Sequence, residues 1–194
     1  MRSLQEEVLI TWLAKLRKGS VYNRKWWNPL PFSMYVHDLI ISEQLSSVIE
    51  VGTGNGVTSV WASLAGAHVW TCDTENRPKI WDDETFPLPH LSSRIEPFTM
   101  LGNQFLNHQL TRTSNVCQDL IILDGPTSEK GFRRLWSVIS SHIKTGDFIV
   151  SPIGQPEIYV CWQKIANAGF NVQFNSSTES FTTKWDKEGN HNKW

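Results

Sequence analysis

Apolar residues in this chain recur first at helical spacing and then in short continuous runs between turns. Leu9, Trp12, Leu13 and Leu16 fall on one face of a helix. That helix opens at Ser3-Leu4-Gln5-Glu6, a capping box in which serine and glutamate satisfy each other's backbone N–H groups. It closes at Gly19, after Arg17 and Lys18. Residues 19–32 carry a glycine and two prolines and predict an irregular connection, followed by a second helix over Ser33–Gln44. From there strands and helices alternate. Strands are predicted at Val48–Val51, Ala67–Cys72, Arg94–Thr99, Asp119–Leu123 and Phe148–Val150. Helices are predicted at Val57–Ala65, Gln104–Leu110, Glu129–Ser141 and from Pro156 to Gly169. Residues 74–92 predict a loop with at most a short helix, and Phe170–Phe174 and Ser180–Trp185 two closing strands. This alternation predicts an α/β domain with a largely parallel sheet covered on both faces.

The length of 194 residues suits one domain. No stretch approaches the roughly 18 uninterrupted apolar residues of a membrane span. The first 18 residues read as a helix rather than a secretory signal, because Glu6 and Glu7 precede the apolar part and Lys15 interrupts it. Three widely spaced cysteines, Cys72, Cys117 and Cys161, indicate neither a disulfide framework nor a zinc pair. A cytoplasmic protein without a metal site is expected. Residues 1–30 hold six basic and two acidic side chains, against twelve and seventeen in the remainder, for a net charge of −1. A dedicated nucleic-acid binder would carry a basic surplus to neutralise phosphates, so a nucleic-acid partner is disfavoured.

The informative segment is Ser47–Asp73. Glycines 52, 54 and 56 follow a strand and open a helix, at the edge where open α/β sheets bind nucleotides. Asp73 ends the next strand, where a carboxylate can accept both hydroxyls of a ribose. Dinucleotide enzymes show G-x-G-x-x-G, but Val57 stands at the third glycine's place and the spacing here is G-x-G-x-G. Glu50, two positions before the first glycine, would repel a pyrophosphate and favour an ammonium or sulfonium.

Glu50-Val51-Gly52-Thr53-Gly54-Asn55-Gly56 resembles the first motif, E/D-x-G-x-G-x-G, of the class I S-adenosylmethionine-dependent methyltransferases. The fourth-strand run Asp119–Pro126 is similar to that family's next motif, and the resemblance spans roughly residues 33–185 in element order. It implies a Rossmann-like doubly wound sheet of seven strands in the order 3-2-1-4-5-7-6, with strand 7 antiparallel. It also implies one domain over 1–194, with 1–45 an N-terminal helical cap or substrate lid and 46–194 the core. S-adenosylmethionine is the implied cofactor. Gly52, Thr53, Gly54, Asn55 and Gly56 would bracket its methionine portion and Glu50 face its amino end. Asp73 and Thr74 would hold the ribose, Gly102 and Asn103 lie near the adenine, and Asp124 face the reacting methyl group.

Subclass signatures narrow the acceptor within the resemblance. Asp124-Gly125-Pro126-Thr127 lacks the second proline and aromatic platform of the amino-methylating [N/D]-P-P-[Y/F] motif. The lysine of the ribose 2′-O-methyltransferase tetrad falls at Ser151, and Ser151-Pro152 replaces the second ligand pair of the metal-dependent catechol type. The Pro-Cys motif of the cysteine-nucleophile enzymes is missing. The expected function is O-methylation of a small hydroxylated metabolite or sugar. Alternatives are a non-catalytic S-adenosylmethionine-binding regulatory module, or a methyltransferase acting on protein or RNA. Asp124 is the first candidate for a general base or acceptor-orienting group, with His108 and His37 second. Tyr35, Trp26, Trp27 and the loop Thr127–Gly131 are expected to roof the acceptor pocket, and of Arg133 and Arg134 one is a candidate clamp for an anionic substrate.

Overall fold

The computed structural model describes residues 2–19, 30–112, 120–143 and 145–185. Trp26, Trp27, Cys117 and Asp119 lie outside the described residues. The first helix, α1 (Leu4–Gly19), begins on the expected capping box: Ser3 N–H donates to Glu6 Oε2 at 2.5 Å and Glu6 N–H to Ser3 Oγ at 3.2 Å. Helix α2 (Leu30–Glu43) starts three residues earlier than expected, because Pro31 lies in its first turn, where the missing N–H has no intrahelical partner to lose.

The alternating part then follows: β1 (Ser47–Val51), α3 (Val57–Leu64), β2 (His68–Asp73), β3 (Ile95–Thr99), α4 (Gly102–Arg112), β4 (Leu120–Leu123), α5 (Glu129–His142), β5 (Phe148–Pro152), α6 (Pro156–Asn167), β6 (Val172–Asn175) and β7 (Ser180–Lys184). Between β2 and β3, two 3-10 turns, Ile80–Asp82 and Pro89–Arg94, interrupt the predicted loop. The sheet order is β3-β2-β1-β4-β5-β7-β6. Strands β1 to β5 pair in parallel, and β7 is antiparallel to both β5 and β6. This is the order implied by the methyltransferase resemblance.

The two faces of the sheet carry separate cores. Leu9 of α1, Val36 of α2 and Trp61 of α3 pack on one face with Val48 and Ile122. Phe105 of α4, Trp136 of α5 and Trp162 of α6 pack on the other with Ile49 and Ile121. Adjacent strand residues point to opposite faces, so continuous apolar runs such as Leu120–Leu123 feed both cores. The second face is dense in aromatic rings: Trp162 meets Phe132, Trp136 and Phe181 at centroid distances of 5.8, 6.0 and 5.6 Å. No helix among the described residues is long and apolar enough to cross a membrane.

The strand order decides where a site can form. The chain runs from β1 outward to β2 and β3, then returns to place β4 on the other side of β1. The loops leaving β1 and β4 therefore diverge, and a crevice opens between them at the carboxyl edge.

Candidate functional site

A cleft of about 200 Å³ lies at that edge. The end of β1 contributes Val51 and Gly52, and the end of β2 contributes Cys72, Asp73 and Thr74. Met100–Asn103 wall it after β3, Gly125 and Pro126 after β4, and Gly131, Arg134 and Leu135 from α5. Of the residues expected around the cofactor, Gly52, Asp73, Thr74, Gly102 and Asn103 thus line one cavity.

Asp73 is set by its neighbours. The Gly54 N–H donates to Oδ2 at 3.0 Å, the Glu75 N–H donates to Oδ1 at 3.3 Å, and the Arg77 guanidinium lies 3.9 Å from Oδ2. Cys72 beside it is buried, and burial pushes its thiol up to about 12, so it presents a neutral wall. Among the described residues no group of three or more histidines, cysteines and acids could hold a metal ion.

Glu50 lies under the glycine loop, fully buried, and does not line the cleft. Both the Ser59 and Thr71 hydroxyls donate to its Oε2, the second at 2.6 Å, while Oε1 is buried with no partner. Burial pushes this carboxyl up to about 7 against the pull of the two hydroxyls. Thr53 is also buried, its hydroxyl 2.7 Å from that of Thr71, and Asn55 is buried beneath the bend. Gly54 and Gly56 are not in the cleft wall.

Asp124 begins the loop after β4, and its N–H donates to Val51 O at 2.9 Å. Gly125 and Pro126, the next two residues, reach the cleft. His37 lies elsewhere: it is buried on α2, its Nδ1 is 3.0 Å from Asp38 Oδ1, and its ring packs edge-on to Trp61 at 5.5 Å. His108 is exposed on α4, with its ring 6.3 Å from Phe98. Tyr35 faces β7, its hydroxyl 2.7 Å from that of Thr182. Of the two arginines, Arg133 pairs with Glu129 at 2.9 Å and Arg134 reaches the cleft.

Sequence reasoning named Gly131 and Arg134 of the α5 wall and passed over Leu135 beside them. Gly131, Arg134 and Leu135 are three and four positions apart, so helical periodicity counted from Ser128 puts them on one face. Ser128 is the helix cap, accepting from the Gly131 N–H at 3.2 Å. Sequence reasoning also passed over residues 79–86, which fold back over the glycine loop. The Lys79 ammonium donates to Gly54 O at 2.8 Å, the Ile80 N–H to Asn55 O at 3.0 Å, and the Trp81 ring fills the space a side chain at Gly56 would need.

No protein-family model and no curated protein matches the sequence. Solved structures do match the fold. An O-methyltransferase from Bacillus cereus in complex with SAH aligns over 95% of this chain and 92% of its own, at 15% identity and TM-score 0.58. The calicheamicin methyltransferase CalS11 aligns over 95% of this chain and 94% of its own, at 10% identity and TM-score 0.60. Cofactor-bound Rv0187 from MTB aligns over 91% of this chain and 89% of its own, at 13% identity and TM-score 0.62. The strand order, the crevice between β1 and β4 and these alignments agree: the chain has the class I S-adenosylmethionine-dependent methyltransferase fold.

Proposed function

We propose that the protein is an S-adenosylmethionine-dependent O-methyltransferase whose acceptor is a small hydroxylated metabolite or sugar. The observation that carries this reading is the single cleft that brings Asp73, Gly52 and the Met100–Asn103 segment together at the crevice between β1 and β4. Asp73 offers a carboxylate for ribose hydroxyls, and Met100, Leu101 and Leu135 offer apolar walls for a purine. The cofactor supplies a methyl group activated on a positively charged sulfur. The protein's part is to align the acceptor oxygen, exclude water and take up its proton. Asp124 is assigned the last of these roles, since it opens the loop that lines the cleft. The positions of His37, packed on Trp61, and His108, on the outer side of α4, do not support that role.

Calorimetric titration with S-adenosylhomocysteine, with NADH as the control, tests the cofactor. Binding of the first compound and not the second is expected, and the reverse result sinks the proposal. Asp73→Ala removes charge-assisted hydrogen bonds worth about 1.5–3 kcal/mol each, so the S-adenosylhomocysteine Kd should rise on the order of 100-fold. Incubation with S-adenosylmethionine and a panel of phenols, sugars and hydroxy acids, read as S-adenosylhomocysteine formed, tests the reaction. Tight binding with no product across the panel would leave the non-catalytic module as the better reading. Asp124→Asn keeps the shape of the side chain and loses the base. Its turnover should fall by about 10²–10⁴-fold with cofactor Kd unchanged, and full turnover would remove Asp124 from that role.

A further inference from the structure

The segment that folds over the glycine loop holds both polar backbone groups of one glycine. The Gly54 N–H donates to Asp73 Oδ2 at 3.0 Å, and Gly54 O accepts from the Lys79 ammonium at 2.8 Å. Gly54 has φ +52°, a left-handed conformation, and a glycine there has other conformations of similar energy open to it. Two side chains from outside the loop therefore select one of them. Lys79 is itself fixed: only 6% of it is exposed, its N–H donates to Asp82 Oδ2 at 3.3 Å, and the next residue is tied to Asn55 O. A buried ammonium is costly unless paired, and the groups facing this one are Glu50 from β1, Asp73 from β2, and Arg77 and Asp82 from its own segment.

We propose that Lys79 is a positioning residue for the cofactor: by holding Gly54 O it keeps the Gly54 N–H on Asp73, so that the glycine bend and the ribose-facing carboxylate are set as one unit before any ligand arrives. This rests on the reading that the cleft takes an adenosyl compound. The segment around Lys79 is anchored further out to α1, where Trp12 Nε1 donates to Thr85 Oγ1 at 3.1 Å and its ring meets Phe86 edge-on at 5.3 Å. Removing the ammonium therefore frees the Gly54 carbonyl while leaving the rest of the segment attached.

Two measurements decide it. The first uses no ligand: backbone amide exchange of residues 52–56 should be at least fivefold faster in Lys79→Met than in the parent, with exchange in β4 unchanged. Parent-like exchange over 52–56 would overturn the proposal whether or not the cleft binds an adenosyl compound. The second uses 5′-methylthioadenosine, which has the nucleoside and thioether but no amino group to titrate. Its Kd should be about tenfold higher for Lys79→Met. Burial lowers the Lys79 ammonium below the usual lysine range. The parent's Kd should therefore weaken several-fold between pH 8 and 10.5, and Lys79→Arg, charged throughout, should stay flat. A flat parent profile, or the same alkaline weakening in Lys79→Arg, would overturn the positioning role. A parent that binds neither 5′-methylthioadenosine nor S-adenosylhomocysteine counts against the proposed function, and the exchange result then decides the Lys79 contact alone.

Discussion

Gly52→Ala should cost about 2–5 kcal/mol of folding stability, a large share of what a domain of this size has in reserve. A Cβ at position 52 would sit 2.5 Å from Gly125 N and 2.8 Å from the carbonyl carbon of Asp124. Both obstacles are backbone, so no side-chain rotation relieves them. The backbone cannot easily withdraw either: Asp124 N–H is bonded to Val51 O at 2.9 Å, and Gly52 N–H to Cys72 O at 2.8 Å. The φ of +101° adds strain of its own for any residue with a side chain. Gly146 separates the two contributions, because it has the same φ of +101° and nothing within 4 Å of its would-be Cβ. Gly146→Ala should cost only the conformational part, about 1–2 kcal/mol. Urea unfolding of the two variants measures the difference. Equal losses would mean that the loops after β1 and β4 separate freely, and the close approach at the crevice would then have no energetic weight.

That close approach also marks how far the sequence could be read. The glycine at position 52 was visible as a bend, but its partner was not, since Gly125 is 73 residues away and the contact exists only once β1 and β4 pair. Strands such as β4 and helices such as α6 were legible because their apolar spacing is set by burial on one or two faces. The start of α2 differs from the expectation because the first turn of a helix accepts a proline such as Pro31. Asp73 was legible as a candidate because it ends β2, and topology alone brings strand ends to the crevice, whereas Gly102 was named only through the family resemblance. Lys79, Phe86 and Leu88 looked like a charged, proline-rich loop. Their burial comes from tertiary contacts with the glycine loop and α1, which leave no period in the sequence. His37 drew attention as a titratable residue, although its surroundings on α2 are those of a packed core side chain.

Glu50→Gln should make the ligand-free protein more stable at pH 8 and leave it nearly unchanged at pH 5. The carboxyl titrates near 4.5 when unfolded and is pushed up to about 7 by burial in the fold. A raised value means that the folded state holds its proton more tightly than the unfolded chain does. The contribution of this group is therefore most favourable below the unfolded value and is lost as pH climbs toward 7. The loss has a ceiling of about 3 kcal/mol, at 1.36 kcal/mol for each pH unit between the two values. An amide has no charge to bury and can still accept from Ser59 and Thr71, so the variant escapes the loss. Urea midpoints of parent and variant at pH 5 and pH 8 test this, and a gap that does not widen with pH would show that Glu50 is not held neutral. An acid that weakens the fold at neutral pH, with Oε1 buried and unpartnered, breaks the rule that buried polar atoms are hydrogen-bonded. Such breaches concentrate where a ligand supplies the missing partner. A cofactor carrying positive charge into the cleft would favour the ionised carboxylate through the thin layer of the glycine loop. The same substitution that stabilises the empty protein should therefore weaken S-adenosylmethionine binding by roughly tenfold, about 1.4 kcal/mol. It should weaken binding of S-adenosylhomocysteine, which lacks the sulfonium charge, by less. Equal weakening of the two compounds would trace the effect to the shape of the loop instead of its charge.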